Sequence, residues 1–325
     1  MAERIVKEAQ VPFDLHGKRF DQIATELFSD FSRARIQSWI KDGLLLVDGN
    51  AMKAKEKLYG GETLTLDLVV EDQEIHEAEN IPLDIVYEDD DILVINKPAG
   101  LVVHPAAGNR DGTLLNAILF HAPQVAHVPR AGIVHRLDKL TTGLMVVAKT
   151  LAAQTDLVAQ LQERSMGREY EAIAMGVMTG GGMVDEPIGR HPQNRQKMAV
   201  EPINGKESVT HYRVVKRYRN HTHIRLKLET GRTHQIRVHM SHIKYPLVGD
   251  AQYAGRLKIP KLCTPELQET LRSFHRQALH AKRLELSHPI TGDWMEWEVD
   301  LPDDMQTLLT QLQSDMDEIE QIGDY

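Results

Sequence analysis

The sequence predicts an α+β protein, in which a large domain built on a predominantly antiparallel mixed β-sheet with flanking helices follows a small α/β domain. Three observations predict this division. Residues 16–68 combine helical spacing with short strands and turns, residues 71–82 are acidic and lack periodicity, and strand patterns dominate from about residue 83. We therefore predict a first domain over residues 1–75, an acidic linker over 76–82 and a second domain over 83–325.

The first domain is predicted to contain two short helices followed by strands. Apolar residues recur at helical spacing over residues 21–28 and 33–41, and Ser32 stands where an N-cap belongs. Short apolar or alternating stretches at 44–47 and 63–66, each next to glycine-containing turns, predict strands that form hairpins.

The second domain is predicted to be mostly strand. The apolar stretch before His135 and the alternating patterns further on indicate half-buried sheet. Strands are also expected at 92–96, 101–103, 143–148, 167–174, 209–215 and 224–228, and helices at 152–163, 264–275 and 303–322.

Composition excludes several classes of protein. With 42% hydrophobic and 26% charged residues over 325 positions, the chain has enough apolar material for a core. No apolar run approaches about 18 residues, so no membrane span is expected. The N-terminus carries charges where a secretory signal needs an apolar block, and the single cysteine, Cys263, cannot form an internal disulfide. We expect a cytoplasmic protein.

The net charge of −9 conceals a basic region. Residues 71–91 carry ten Asp or Glu and no Lys or Arg, and residues 303–325 carry seven acids and no base. Residues 190–256, in contrast, hold 14 Lys or Arg against four Asp or Glu. Since basic residues that alternate along a strand share one face, these strands could follow a phosphate backbone. A merely solvated basic surface explains the charge equally well.

Asp138 is the first candidate for chemistry. It lies between Arg136 and Lys139, so that nearby positive charge favours its ionised form, and it precedes a Thr-Thr-Gly turn. A carboxylate beside a turn at a strand end suits a nucleophile or a base. For one isolated aspartate, however, an ion pair that holds the turn is the better interpretation.

A second cluster lies at residues 230–240, where a basic strand ends and a helix is expected to begin. Arg232 and Arg237 with His234 and His239 make a candidate anion-binding site. A metal site is not favoured, because a spacing of five places the two histidines off a common helical face. In a third segment, Tyr170 within an alternating strand indicates an ordinary half-buried residue.

Together these segments resemble the RluA-type pseudouridine synthases. His135-Arg136-Leu137-Asp138 matches the catalytic signature of that family, and residues 231–239 match a second motif. Asn96-Lys97-Pro98 and Val103-His104-Pro105 match further family segments in the expected order. Residues 16–68 resemble the S4 type of RNA-binding domain. The chain departs from the family pattern at Leu140, usually acidic, and at Ala131, where proline is common.

The resemblance implies an enzyme that isomerises uridines in 23S ribosomal RNA, at a hairpin of the subunit interface, by flipping the nucleotide out of its helix. It implies that Asp138 is the essential carboxylate, Arg237 its basic partner, and Tyr170 the residue that stacks on the target base. Whether Asp138 attacks the sugar or the base, or removes a ribose proton, stays open. RNA contacts are expected from His135, Arg136, Arg232 and His234, and in the S4-like domain from Arg33, Arg35, Lys53 and Lys55.

Because the isomerisation is redox-neutral, the resemblance implies no cofactor and no metal. We expect a monomer whose partner is ribosomal RNA or an assembly intermediate of the large subunit. Three alternatives stay open: a related synthase for other rRNA or tRNA uridines, a non-catalytic RNA-binding assembly protein, and an aspartyl-phosphate phosphotransferase. The last requires a downstream magnesium-binding aspartate pair, and no suitable element is evident.

Overall fold

The computed structural model describes residues 3–28, 31, 33–70, 76–106, 108–194 and 196–323. The chain divides into two compact units, Met1–Ile75 and His76–Tyr325. No helix among the described residues is both long and apolar enough to cross a membrane.

The first unit is a three-stranded antiparallel sheet with two helices. Its strands pair in the order β1-β3-β2, and its core contains the fully buried Phe20, Ile23 and Ile36. The elements are β1 (Glu3–Gln10), α1 (Phe20–Leu27), α2 (Arg33–Lys41), β2 (Leu45–Val47) and β3 (Thr63–Val70). Both predicted helices and both predicted strands are confirmed, whereas β1 was not predicted, because its apolar residues do not alternate. Ser32 lies outside the described residues.

The second unit contains eleven strands and five helices in its described part. The strands are β4 (Ile85–Glu88), β5 (Ile92–Lys97), β6 (Thr142–Ala148), β7 (Gly167–Met175), β8 (Gly182–Asp185), β9 (Ile188–Arg190), β10 (Met198–Val200), β11 (Val209–Arg217), β12 (His221–Leu228), β13 (Leu279–Ser287) and β14 (Trp294–Glu298). The helices are α3 (Leu114–His121), α4 (Leu151–Gln162), α5 (Gln235–His242), α6 (Pro265–Ser273) and α7 (Asp303–Gly323).

Nine of these strands form one mixed sheet in the order β4-β5-β6-β13-β7-β12-β11-β8, with β14 added to β13. Within the described strands only β6 and β13 pair in parallel, and the others pair antiparallel. The predicted α+β class and the predominantly antiparallel mixed sheet are therefore confirmed. The predicted helices over 152–163, 264–275 and 303–322 correspond to α4, α6 and α7.

Two predicted strands are wrong. Residues 101–103 form neither helix nor strand. The stretch before His135 begins with a 3₁₀ turn over Pro129–Gly132, and Ile133 makes only an isolated bridge to Val147. Arg130, Ala131 and Gly132 all have positive φ, which turns the chain away from an extended path. Proline cannot adopt the φ of 50° found at Ala131, so the conformation of this chain requires a residue other than the proline that is common in the family at this position.

The segment predicted as an acidic linker is attached to the second unit. Glu79 accepts a hydrogen bond from the Gly112 amide at 2.8 Å and donates its own amide to the Asn116 carbonyl at 3.0 Å. The Asn116 side chain donates in turn to the Glu77 carbonyl at 2.8 Å. Since these bonds hold residues 77–79 against the start of α3, the second unit begins at His76, before the predicted boundary at residue 83.

Candidate active site

Three separate parts of the second unit bring the predicted catalytic residues to one cleft. Asp138 lies in the irregular segment before β6, Tyr170 lies on β7, and Arg237 lies in the first turn of α5. Leu226 of β12 is the cross-strand partner of Tyr170, so that both side chains lie on the same face of the sheet, within the main hydrophobic core.

Asp138 and Arg237 form an ion pair although they are 99 positions apart. Arg237 donates through Nη1 to Asp138 Oδ2 at 2.9 Å. Its remaining donors bind Asp250 in a two-pronged contact, from Nε at 2.7 Å and from Nη2 at 3.0 Å. Nη2 also donates to Gln252 at 3.1 Å, and the guanidinium lies over the Tyr253 ring, 4.9 Å from its centroid. These contacts hold Arg237 in one orientation toward Asp138.

Two carboxylates stabilise the positive charge of Arg237. Burial by itself works to lower its pKa, but the hydrogen bonds and charges of Asp250 and Asp138 outweigh burial and raise the pKa. Arg237 is 7% exposed and Asp250 is 2% exposed, whereas the Asp138 side chain retains 16% exposure. One carboxylate therefore anchors the arginine, and the other is directed by it while staying accessible from the cleft.

Asp250 and Tyr253 belong to the surroundings of Arg237 and are residues of the candidate site that sequence reasoning missed. Asp250 Oδ1 accepts the amides of Gln252 and Tyr253 at 3.0 and 3.1 Å, which holds the carboxylate in place for its contact with Arg237. The one feature that could have identified Asp250 is its rarity, since it is one of only four acids in the basic stretch 190–256.

His234 completes the surroundings of Asp138. It precedes α5 with a φ of 58°, and its Nδ1 lies 2.7 Å from the Tyr253 hydroxyl. Its Nε2 is 3.8 Å from Asp138 Oδ1. Burial lowers the pKa of His234, and the opposing effect of the Asp138 charge does not reverse the shift. At neutral pH the ring is therefore mostly uncharged and acts as a polar neighbour of the carboxylate.

Tyr170 is 6% exposed and lines the cleft. Burial raises the pKa of its phenol, Arg168 opposes this effect and Asp138 adds to it. The phenol is consequently protonated at neutral pH. Its ring offers a flat apolar surface to the cleft.

The cleft has a volume of about 540 Å³, within the usual range for small-molecule sites. Asp138 and Glu229 are the only acids among its lining residues. Six arginines line it, namely Arg130, Arg136, Arg164, Arg168, Arg232 and Arg237. Such a surface favours an anionic ligand or one that carries phosphates.

The residues predicted to bind RNA in this unit lie around the cleft. Arg136 is exposed, and the structure shows no hydrogen bond to its side chain from any described residue. Arg232 is exposed and donates from Nε to the Glu207 carbonyl at 3.1 Å. His135 is partly committed to the fold, because its Nε2 accepts the Val146 amide at 3.1 Å and burial lowers its pKa to about 3. Its RNA contact stays a prediction.

In the first unit, the predicted RNA-binding residues have different surroundings. Lys53 and Lys55 are exposed. Arg33 donates to the buried Asp21 at 3.2 Å and remains half exposed. The side chain of Arg35 lies outside the described part of the chain.

The basic residues of β12 do not line the cleft. Arg225 and Lys227 alternate with Leu226 and so lie on the sheet face opposite to Tyr170. Arg225 and His223 both bind Glu171, at 2.8 Å each. Arg225 and Lys227 share one face, as their alternation predicted, but strand register turns this face away from the cleft, and Glu171 on β7 neutralises part of its charge. That this face follows a phosphate backbone stays a prediction.

The turn after Asp138 does not depend on the side chain of Leu140, which is 37% exposed. The Thr141 amide donates to the Asp138 carbonyl at 3.0 Å, and the Gly100 amide and Lys97 Nζ both donate to the Lys139 carbonyl. Backbone groups therefore order the turn, which explains how leucine can replace the usual acid.

The histidines weighed as metal ligands have other partners. His239 is fully buried, with Nδ1 2.9 Å from the Thr210 hydroxyl and Nε2 2.9 Å from the Glu186 carbonyl. Among the described residues, one group of three potential ligands lies together, Asp89, Asp91 and His288, away from the cleft. Asp89 there already accepts two backbone amides and lies 2.9 Å from His288, as expected for a capped turn.

Comparisons with known proteins agree with this geometry. Residues 91–242 match the family described as RNA pseudouridylate synthase. The chain is 60% identical over 315 residues to a protein of Pseudomonas aeruginosa named ribosomal large subunit pseudouridine synthase D, covering 97% of this chain and 98% of that protein. It is 56% identical over 319 residues to the protein of that name from Escherichia coli K12, covering 98% of each. The solved structure of human RNA pseudouridylate synthase domain containing 4 is 27% identical, with a TM-score of 0.55 over 70% of this chain and 92% of that one.

Proposed function

The chain belongs to the RNA pseudouridylate synthase family and is an RNA pseudouridine synthase, and we propose that it isomerises specific uridines in a hairpin of 23S ribosomal RNA, with Asp138 as the essential carboxylate. Family membership confirms the resemblance inferred from the motifs. It leaves the non-catalytic and phosphotransferase alternatives without support. The relatives named ribosomal large subunit pseudouridine synthase D support ribosomal RNA as the substrate.

The reaction breaks the bond between ribose C1′ and uracil N1, turns the base and joins C1′ to C5. N1 gains a proton and C5 loses one, so that substrate and product are isomers. No electrons are exchanged with another molecule, and the chemistry needs only groups that hold the base and move protons.

The ion pair of Asp138 with Arg237 is the observation that carries this proposal. Arg237 binds the carboxylate and directs it, and nucleophilic and base chemistry both need such an oriented group. Tyr170 offers its ring to the base from the floor of the same cleft. A paired uridine is inaccessible to these groups, so the enzyme must flip it out, at a cost of a few kcal/mol.

We assign the exposed arginines of the cleft, Arg136 above all, to the RNA strand around the flipped nucleotide. The first unit, which resembles an S4 domain, would add phosphate contacts through Arg33, Arg35, Lys53 and Lys55. Such contacts position the substrate and carry little sequence information.

The Asp138→Asn variant tests the proposal. Tritium release from a 23S rRNA transcript labelled at uridine C5 should fall by at least about 10³-fold, because a neutral amide can neither attack nor accept a proton. RNA affinity should stay within about threefold, since phosphate contacts dominate binding. Retained turnover in this variant would refute the assignment of Asp138, and mapping of pseudouridine in the treated RNA identifies the target uridines.

A further inference from the structure

Arg168 is a buried arginine without a partner. It lies on β7 two residues before Tyr170, hence on the same face of the sheet, and it lines the cleft. Its residue is 7% exposed, and its Nε is buried without a hydrogen bond. The structure shows no hydrogen bond or ion pair to Arg168 from any described residue.

Such an arrangement costs folding free energy, because a charge taken out of water normally needs an opposite charge or hydrogen-bond acceptors. The fold nevertheless makes room for it. A Cβ at position 231 would lie 2.7 Å from Nη1 of Arg168, so that glycine there leaves space for the guanidinium. This packing accounts for the glycine of the Gly231-Arg232 motif, and it indicates that the unpaired charge serves a ligand.

The position of Arg168 favours the base over the phosphates of the RNA. Arg136 and Arg232 are exposed, where the charged backbone can stay hydrated. Arg168 and Tyr170 are less than a tenth exposed, at a depth that suits a flat base turned out of its helix.

We propose that Arg168 is a catalytic residue that stabilises the negative charge developing on the uracil ring, an inference that rests on the proposed function. When the C1′–N1 bond breaks, its electron pair stays on N1 and spreads to O2 and O4. The guanidinium donates hydrogen bonds to this anion in a site with little water, where fixed positive charge is most effective. After the base turns, the electron pair of the ring forms the new bond from C5 to C1′, which consumes the negative charge. The C5 proton is then lost to water and N1 takes up a proton, so that atoms and charge balance.

This role is independent of the chemistry of Asp138. If the carboxylate attacks C1′, or removes a ribose proton as a C1′–C2′ double bond forms, the uracil leaves as an anion. If it adds to the base at C6, the displaced electron pair moves onto O4. In every case the ring becomes negative.

Single-turnover kinetics of Arg168→Met, with excess enzyme and the tritium-labelled 23S rRNA transcript, test the proposal. The limiting rate should fall by about 10²–10³-fold, as after loss of one donor from an oxyanion site. The RNA dissociation constant should change less than about threefold. Arg168→Lys, which restores a charge without the planar fork, should recover part of the rate.

Thermal melting separates catalysis from a structural role. Arg168→Met removes an unpaired buried charge, so its melting temperature should equal or exceed that of the unaltered protein. The matched control is Arg283→Met on β13. Arg283 binds Glu285 and Glu296, outside the cleft, and its loss should leave the limiting rate unchanged.

The outcomes are distinct. An unchanged limiting rate in Arg168→Met would overturn the inference, as would a loss confined to RNA affinity, which would make Arg168 a phosphate-binding residue. A lowered melting temperature would assign it to the fold. If the unaltered protein released no tritium, the proposed function itself would fail. If the unaltered protein and Arg168→Met released tritium at the same rate while Asp138→Asn released none, the role of Arg168 would be refuted and the proposed function would stand.

Discussion

Asp250 binds Arg237, which in turn binds Asp138, the proposed catalytic carboxylate. Asp250→Asn keeps the side-chain oxygen that accepts the Gln252 and Tyr253 amides but removes the charge opposite Arg237. The two short contacts to Arg237, at 2.7 and 3.0 Å, lose their ionic character, and Nε then faces an amide group. We expect a reorientation of Arg237 and, with it, of Asp138.

The magnitude follows from burial. Removing one partner of a buried ion pair costs about 3–5 kcal/mol, and we expect about 3 kcal/mol because Asp138 remains as a partner for Arg237. At about 2–4 °C per kcal/mol, the melting temperature should fall by about 6–12 °C. If Asp138 is the catalytic carboxylate as proposed, its displacement by about 1 Å should lower the single-turnover rate about 10²-fold.

Asp315→Asn is the matched control for this experiment. Asp315 is also 2% exposed, binds Arg219 at 2.9 Å and accepts the Thr264 amide at 2.7 Å, outside the cleft. Its loss should lower the melting temperature comparably but leave the rate per folded molecule unchanged. If Asp250→Asn released tritium at the rate of the unaltered protein below its melting temperature, Arg237 would not direct Asp138 through this anchor.

Three further predictions concern stability and RNA binding. Burial works to raise the pKa of Glu171, but its hydrogen bonds with His223 and Arg225 outweigh burial and lower the pKa to about 2. The stability that this carboxylate contributes is therefore present above about pH 4.5 and is lost as the pH falls toward 2. The melting temperatures of Glu171→Gln and the unaltered protein should converge between these two pH values, and a constant difference would contradict the prediction. Gly132→Ala should lower the free energy of unfolding in urea by at least about 3 kcal/mol, because Gly132 has a φ of 76° and a Cβ there would overlap the Ala148 carbonyl. The control Gly112→Ala, at a φ of 64° with open space around it, should lower it by about 1 kcal/mol. Equal losses in the two variants would exclude the overlap at Gly132. Deletion of residues 1–75 should weaken RNA binding and flatten its salt dependence in filter-binding titrations while the second unit still melts cooperatively, and unchanged affinity would refute an RNA-binding role for the first unit.

Local patterns in the sequence predicted most elements correctly. Helices α1, α2, α4, α6 and α7 show the spacing of apolar residues that a 3.6-residue repeat requires. Five strands are either apolar throughout or alternate between apolar and polar residues, because successive side chains of a strand point to opposite faces of the sheet; these strands are β5, β6, β7, β11 and β12. The two strands predicted wrongly, at residues 101–103 and before His135, are apolar segments whose path is set by positive φ angles and by packing, neither of which periodicity reports.

The motifs likewise predicted Asp138, Tyr170 and Arg237 as site residues, and the structure brings all three to one cleft. Tertiary structure alone decided what surrounds them. It selected Asp250 as the anchor of Arg237, turned Arg225 to the far side of the sheet and left Arg168 buried without a partner. The physical reason is that helix and strand formation depend on residues a few positions apart, whereas burial, strand register and ion pairing depend on groups that only the folded chain brings together.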